Sequence, residues 1–165
     1  LDRNLEQAGV SEEVEVFEML STDFIQQWNG PIRFLFHDGA NQAAQVRLDV
    51  QQLQPHFSDG AIIAFHDVLN TSGYRAEVFV EDILNSDHFG PVGFCGCIGW
   101  GQYFSDPAIG QRYRQSRQRL ANRLARMLPF QGVRVEGIQK IHYKLLRSCI
   151  PHRQVRSNTW IRNAA

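Results

Sequence analysis

The chain has 165 residues, 43% of them apolar and 21% charged, which is room for one domain with a sizeable core. No apolar run approaches the roughly 20 residues of a membrane helix, and no basic-then-apolar leader opens the chain as given, so neither a spanning segment nor a secretory signal is expected. Three cysteines, Cys95, Cys97 and Cys149, cannot all pair, which argues against a disulfide framework and for a reducing, cytoplasmic setting.

The formal charge of zero conceals a division. Residues 1–110 carry only four basic residues (Arg3, Arg33, Arg47, Arg75) against sixteen acids, a net of −12. Residues 111–165 carry thirteen basic residues and one acid, Glu136, a net of +12. Two stretches of opposite sign meet different surroundings, or each other.

Taken in chain order, residues 2–8 read as a short helix ended by Gly9. Residues 14–20 alternate apolar and acidic side chains and predict a strand. Ser21 then caps a helix that runs to Trp28 and stops at Asn29-Gly30-Pro31. Residues 32–36, an almost continuous apolar run closed by His37-Asp38-Gly39, predict a strand buried on both faces. A glycine-free stretch from 41 to 56 reads as helix, Ser58-Asp59-Gly60 as a turn, and residues 61–65 as a second buried strand ending in His66-Asp67. Two buried strands joined by a helix make a βαβ unit, parallel and right-handed when both lie in one sheet.

Residues 74–84 suit a further helix. Residues 89–103, with five glycines among apolar and aromatic residues, suit a twisted hairpin, in which Trp100 and Tyr103 belong to the core or line a pocket. Residues 111–128 predict a long Arg-rich helix with Leu120, Leu124, Met127 and Leu128 at helical spacing. Residues 132–147 are compatible with strand or helix, and the tail after Pro151 reads as irregular. The expected division is an α/β domain over 1–105 and a basic helical extension over 106–165.

In an open α/β sheet, ligands bind beyond the carboxyl ends of the parallel strands. His37-Asp38-Gly39 and His66-Asp67 land there, and neighbouring strand ends lie about 5 Å apart, so the two clusters can converge. His66 is a candidate general base. Asp38 and Asp67, with Asn70, offer oxygen ligands to a hard divalent cation. The plainer alternative is that Asp38-Gly39 is a turn pair and that these side chains cap helices. Cys95-Gly96-Cys97 lacks a second cysteine pair; Cys149 and His142 or His152 would have to complete a zinc site, and buried free thiols are the plainer reading. No phosphate-binding glycine loop, zinc-protease helix motif or nucleophile elbow is present.

The stretch IRFLFHDGANQAAQVRLDVQQLQPHFSDGAIIAFHDVL, residues 32–69, resembles the second half of class I S-adenosylmethionine-dependent methyltransferases. The closest pattern is that of the subfamily with Asp-Gly-Asp-His and His-Asp at its strand ends; Asp38-Gly39, Asp49, Gly60 and His66-Asp67 match it in order. The segment from Ala8 to Ser21 resembles the approach to that family's third strand, so the likeness spans roughly residues 1–85. Two departures stand out: Ala40-Asn41 replaces Asp-His, and Ser58-Asp59-Gly60 replaces Pro-Gly-Gly. The family's first strand and glycine-rich cofactor loop have no counterpart in the chain as given.

The resemblance implies an incomplete Rossmann-like methyltransferase sheet, with helices on its faces and an Arg-rich helical segment after it. It implies S-adenosylmethionine as cofactor, with Leu20 and Ser21 at the adenine and Asp38 and Gly39 beside the methyl donor; Ser21 as a plain helix cap is the alternative. His66 and Asp67 would face the acceptor as catalytic residues. No metal is carried over, because Ala40-Asn41 removes a ligand, although a divalent ion is left open. The expected function is methyl transfer to oxygen in a small-molecule or sugar-bearing acceptor, the chain being the C-terminal portion and by itself inactive or incomplete. The competing expectation is a non-catalytic module whose basic helix binds an anionic partner through Arg112, Arg114, Arg117, Arg119, Arg123 and Arg126, or else docks on acids such as Glu12, Glu13, Glu77 and Asp82. Membrane and nucleic-acid partners are not expected, and self-association is left open.

Overall fold

The computed structural model describes residues 2–40 and 42–152. Helices α1 (Asp2–Ala8) and α2 (Ser21–Gln27) precede strand β1 (Ile32–His37), helix α3 (Ala43–Leu53) and strand β2 (Phe57–Phe65). Helix α4 (Arg75–Val78) runs on as a π-helical stretch, Phe79–Leu84, before the hairpin of β3 (Phe89–Cys95) and β4 (Ile98–Tyr103). Helices α5 (Pro107–Gln111), α6 (Arg114–Ala125) and α7 (Gly137–Ser148) complete the order. Among the described residues, no helix is long and apolar enough to cross a membrane.

The sheet has the order β1-β2-β4-β3. β1 and β2 are parallel, with Leu35 opposite Ile63 and His37 opposite Phe65. The hairpin then inserts its second strand against β2, antiparallel, with Ile63 opposite Gly101 and Phe65 opposite Gly99. The expected adjacent parallel strands, α/β class and Rossmann-like arrangement are therefore present. Residues that share a register position share a face, so Leu35, His37, Ile63, Phe65, Gly99 and Gly101 line one side of the sheet. That side carries the core, to which α3 contributes Val46, Val50 and Leu53 and α4 with its π-helical continuation contributes Val78, Phe79 and Ile83.

The glycines of β4 explain how closely this helical layer sits. A Cβ at Gly99 would lie 3.1 Å from the Phe79 ring, and one at Gly101 would lie 2.8 Å from Ile83. Any larger residue would push the layer off the sheet. Gly110 is tighter still, since a Cβ there would run into the Asp87 carbonyl oxygen.

Several expectations are corrected. Residues 14–20 form no strand: all are exposed, and the free edge of β1 pairs with nothing among the described residues, so the alternation has neither a buried face nor a ladder to join. β1 is not buried on both faces, because Phe34 and Phe36 are 62% and 44% exposed on the side away from the helices. Ser21 is not a helix cap; α2 begins at Ser21 itself after Leu20, with no side-chain cap, and the Ser21 hydroxyl is used elsewhere. The Arg-rich helix starts at Arg114, after the separate α5 that Asp106 caps by accepting from the Ala108 amide at 2.9 Å. Within residues 132–147 the helical alternative holds from Gly137 onward, as α7, and residues 132–136 are irregular. The irregular tail is described only as far as His152, and the rest of that expectation lies outside the described residues.

The charge division is also resolved differently from the expected pairing. Glu77, Glu81 and Asp82 are held by Arg47 from α3, whose Nε donates to Asp82 at 2.9 Å. Of the six arginines between 112 and 126, Arg117 alone turns inward. Its guanidinium donates to the Leu84 carbonyl at 3.1 Å, the Gly110 carbonyl at 2.7 Å and the Asp87 carboxylate at 3.1 Å. Burial pulls its pKa below the usual arginine value while Asp87 pushes it back up, and it fastens α6 to the turn before β3. Removing this guanidinium strands the Leu84 and Gly110 carbonyls without their donor. We predict that Arg117→Met lowers stability by about 2–4 kcal/mol, whereas Arg119→Met, on the exposed face, changes it by less than about 0.5 kcal/mol. Urea denaturation midpoints of the two variants check this; equal midpoints would contradict it.

Candidate active site

The parallel pairing ends β1 and β2 at one level, and two polar turns emerge side by side. The His66 amide donates to the His37 carbonyl at 3.1 Å, which carries the ladder one step past the strands. Beyond it, His66 Nδ1 lies 3.1 Å from Asp38 Oδ1 and 3.3 Å from Asp67 Oδ1. A carboxylate only accepts, so Nδ1 is the donating nitrogen, and in the neutral ring Nε2 is the acceptor. Nε2 faces the Cys97 thiol, 3.7 Å away at the head of the β3–β4 hairpin. The imidazole is about one-third exposed and the Asp38 carboxylate about half exposed, so both are open to a ligand.

Asp67 has a positive φ of 58°, a left-handed conformation that aspartate tolerates better than most residues. Its carboxylate accepts from the Asn70 amide at 2.6 Å, which closes the turn. Tyr143 of α7 donates to the Leu69 carbonyl in the same turn, and burial raises its pKa above the usual tyrosine value.

Arg75, at the start of α4, is 4% exposed and binds both turns together. Nη2 donates to the Gly39 carbonyl at 2.8 Å and lies 3.7 Å from Asp38; Nη1 donates to the His66 carbonyl at 3.4 Å and lies 4.0 Å from Asp67. A buried guanidinium between two carboxylates offsets their mutual repulsion. It also bears on the hard-cation alternative. Asp38 and Asp67 are already answered by Arg75, and the amide nitrogen of Asn70 faces Asp67, so these three present a poor cage of oxygens.

A second His–Asp pair lies behind the first and differs from it in burial. His37 and Asp49 are 7% and 4% exposed. Asp49 accepts from His37 Nε2 at 3.1 Å, from the Ser21 hydroxyl at 3.0 Å and from the Gln45 amide at 2.8 Å. This cluster ties α2 and α3 to the end of β1, and Ser21, His37 and Asp49 form part of the floor of the neighbouring cleft.

The four residues expected at the cofactor, Leu20, Ser21, Asp38 and Gly39, line one cleft of about 380 Å³, with Phe24 and Phe36 among its other walls. His66 and Asp67 do not line it; they join it through Asp38, which belongs to both the cleft and the His66 pair. The three thiols are not buried: Cys95 and Cys149 are exposed and Cys97 is partly so. Tyr103 belongs to the core, and Trp100 lies over Gly93 in the neighbouring strand. Two site residues escaped the sequence reading. Arg75 carried one faint signal, its rarity in a stretch with sixteen acids. The approach of Cys97 to His66, thirty-one positions away, left none.

An α/β sheet whose parallel strands end in a shared acid–histidine turn beside an apolar cleft has the geometry of a small-ligand site beyond the strand ends. Residues 1–68 match the family model described as a methyltransferase domain. The matched stretch is 68 of the 165 residues and contains Leu20, Ser21, Asp38, Gly39, His66 and Asp67. No curated protein matches the chain.

The two His–Asp pairs make opposite predictions for stability. Asp49→Ala leaves the buried His37 nitrogen and two partly covered donors without their shared acceptor and is expected to cost about 2–4 kcal/mol, whereas Asp38→Asn is expected to cost under about 1 kcal/mol. Thermal and urea unfolding of both variants test this, and the prediction fails if Asp38→Asn is the more damaging.

Proposed function

We propose that this chain takes part in S-adenosylmethionine-dependent methyl transfer to a hydroxyl oxygen of a small-molecule or sugar-bearing acceptor. The carrying observation is that Asp38 serves two places at once: it lines the cleft and it holds Nδ1 of His66. The cleft suits the cofactor's chemistry, with apolar walls for a flat ring and one exposed carboxylate for a cationic group. Leu20 and Ser21 would hold the adenine end and Asp38 and Gly39 the charged end; the Ser21 hydroxyl is already given to Asp49, so Ser21 would contribute its backbone. When bound, S-adenosylmethionine supplies an electrophilic methyl group on a sulfonium.

The chain's own contribution is positioning and proton removal. Asp38, with Asp67, fixes the His66 ring through Nδ1–H, and Nε2 accepts the acceptor's hydroxyl proton as its oxygen becomes nucleophilic. Arg75 keeps both carboxylates in place from beneath. No metal enters this reading. In the full-length protein, assayed with methyl-labelled S-adenosylmethionine and a panel of hydroxyl-bearing small molecules and sugars, His66→Gln is expected to lower transfer by about 10²-fold. The dissociation constant for S-adenosylmethionine should stay within about twofold, because His66 does not line the cleft. An unchanged transfer rate would remove His66 from the chemistry.

One observation favours a second role for the basic segment. Arg112, Arg114, Arg119, Arg123 and Arg126 are exposed, and none has a carboxylate partner among the described residues. A cationic face of this kind binds anionic surfaces with a steep salt dependence. Retention on heparin is expected to weaken strongly between low and physiological salt, and to be lost when Arg112, Arg114, Arg119 and Arg126 become glutamine. Retention that persists in that variant would assign the binding elsewhere.

A further inference from the structure

We infer that His66, Asp67 and Cys97 form a binding site for a soft divalent cation, zinc by preference. This goes beyond the methyl-transfer reading and does not depend on it. The three residues come from the β2 turn and the β3–β4 hairpin, and each offers one ligand atom within 4.8 Å of the others; Asp67 Oδ1, which leans on His66 Nδ1 at 3.3 Å, gives up that contact to ligate and leaves the ring to Asp38. His66 Nε2 and Cys97 Sγ are 3.7 Å apart. Bonds of about 2.0 Å to nitrogen and 2.3 Å to sulfur at a tetrahedral angle put two such atoms about 3.5 Å apart. The pair thus already spans the distance that one zinc ion would bridge, with almost no movement of either strand.

The surroundings favour the same ion. His66 Nδ1 is held by the Asp38 carboxylate, which fixes the ring and leaves the other nitrogen aimed at the metal. A thiolate and an imidazole select zinc over magnesium or calcium, and the half-exposed setting leaves the fourth position open to water or another ligand. The hairpin is braced for this, because the Val68 amide donates to the Cys97 carbonyl at 3.0 Å and so ties the thiol-bearing turn to the His66-Asp67 turn. Zinc bound here would occupy the Nε2 lone pair, so metal binding and proton removal by His66 exclude one another.

The test uses the reduced, metal-free protein, titrated with Zn²⁺ against a chromophoric zinc indicator and separately with Co²⁺, whose bond to a thiolate gives a near-ultraviolet charge-transfer band. One equivalent of zinc and one thiolate–cobalt band are expected. Cys97→Ser should abolish the band and weaken zinc binding by at least about tenfold, and Asp38→Asn should weaken it by about tenfold through the loss of ring orientation. Cys95→Ser and Cys149→Ser should leave both readouts unchanged. Circular dichroism of Cys97→Ser matching that of the parent protein shows that the loss is not unfolding. A band that survives Cys97→Ser, or that disappears in Cys95→Ser, would overturn the assignment. These readouts involve no methyl transfer, so the metal site and the catalytic reading stand or fall separately.

Discussion

The parallel pairing of β1 with β2 is the constraint on which the rest depends. Its register sets Phe36 against Ala64 and His37 against Phe65, so both strands stop at one height and release their polar turns into the same space. A shift of one residue would reverse every side chain of β1, putting Phe34 and Phe36 toward α3 and His37 toward solvent. The buried Arg75 then locks the ends, with one guanidinium reaching a carbonyl and a carboxylate of each turn. Sheet, turn and helix are joined at that point.

Two His–Asp pairs at this end of the sheet carry similar chemistry to different ends. In His37–Asp49 the carboxylate is taken up by three donors from β1, α2 and α3, which gives the pair a structural role. His66–Asp38 stands at the rim of the cleft with one ring nitrogen held and the other free. Burial separates the roles, since the Asp49 carboxylate is almost wholly covered and already taken up by three donors, whereas His66 and Asp38 stand open. The neighbouring thiol extends what the outer pair can bind.

The charge division has a structural use on one side and an open face on the other. The acid-rich part spends its few arginines carefully: Arg47 gathers three acids, and Arg75 steadies two more beneath the site. The basic part commits Arg117 to the interior and turns its other helical arginines outward. Arginine suits such multi-partner roles because its planar fork donates in several directions at once.

Local patterning by itself determined the two apolar strands, the helix between them, the glycine-rich hairpin and the presence of acid–histidine turns at the strand ends. These are legible because a continuous apolar run, a glycine-free helical stretch and an Asp-Gly or His-Asp stop act within a few residues of one another. The same local reading misjudged residues 14–20, whose alternation has no partner strand, and Ser21, whose hydroxyl reaches across to Asp49. Only the tertiary structure decided which histidine is sealed and which is open, that Arg75 joins the two turns, and that Cys97 meets His66. Each of these rests on contacts between segments nine to thirty-six positions apart, and chain order says nothing of such distances until the sheet has closed them.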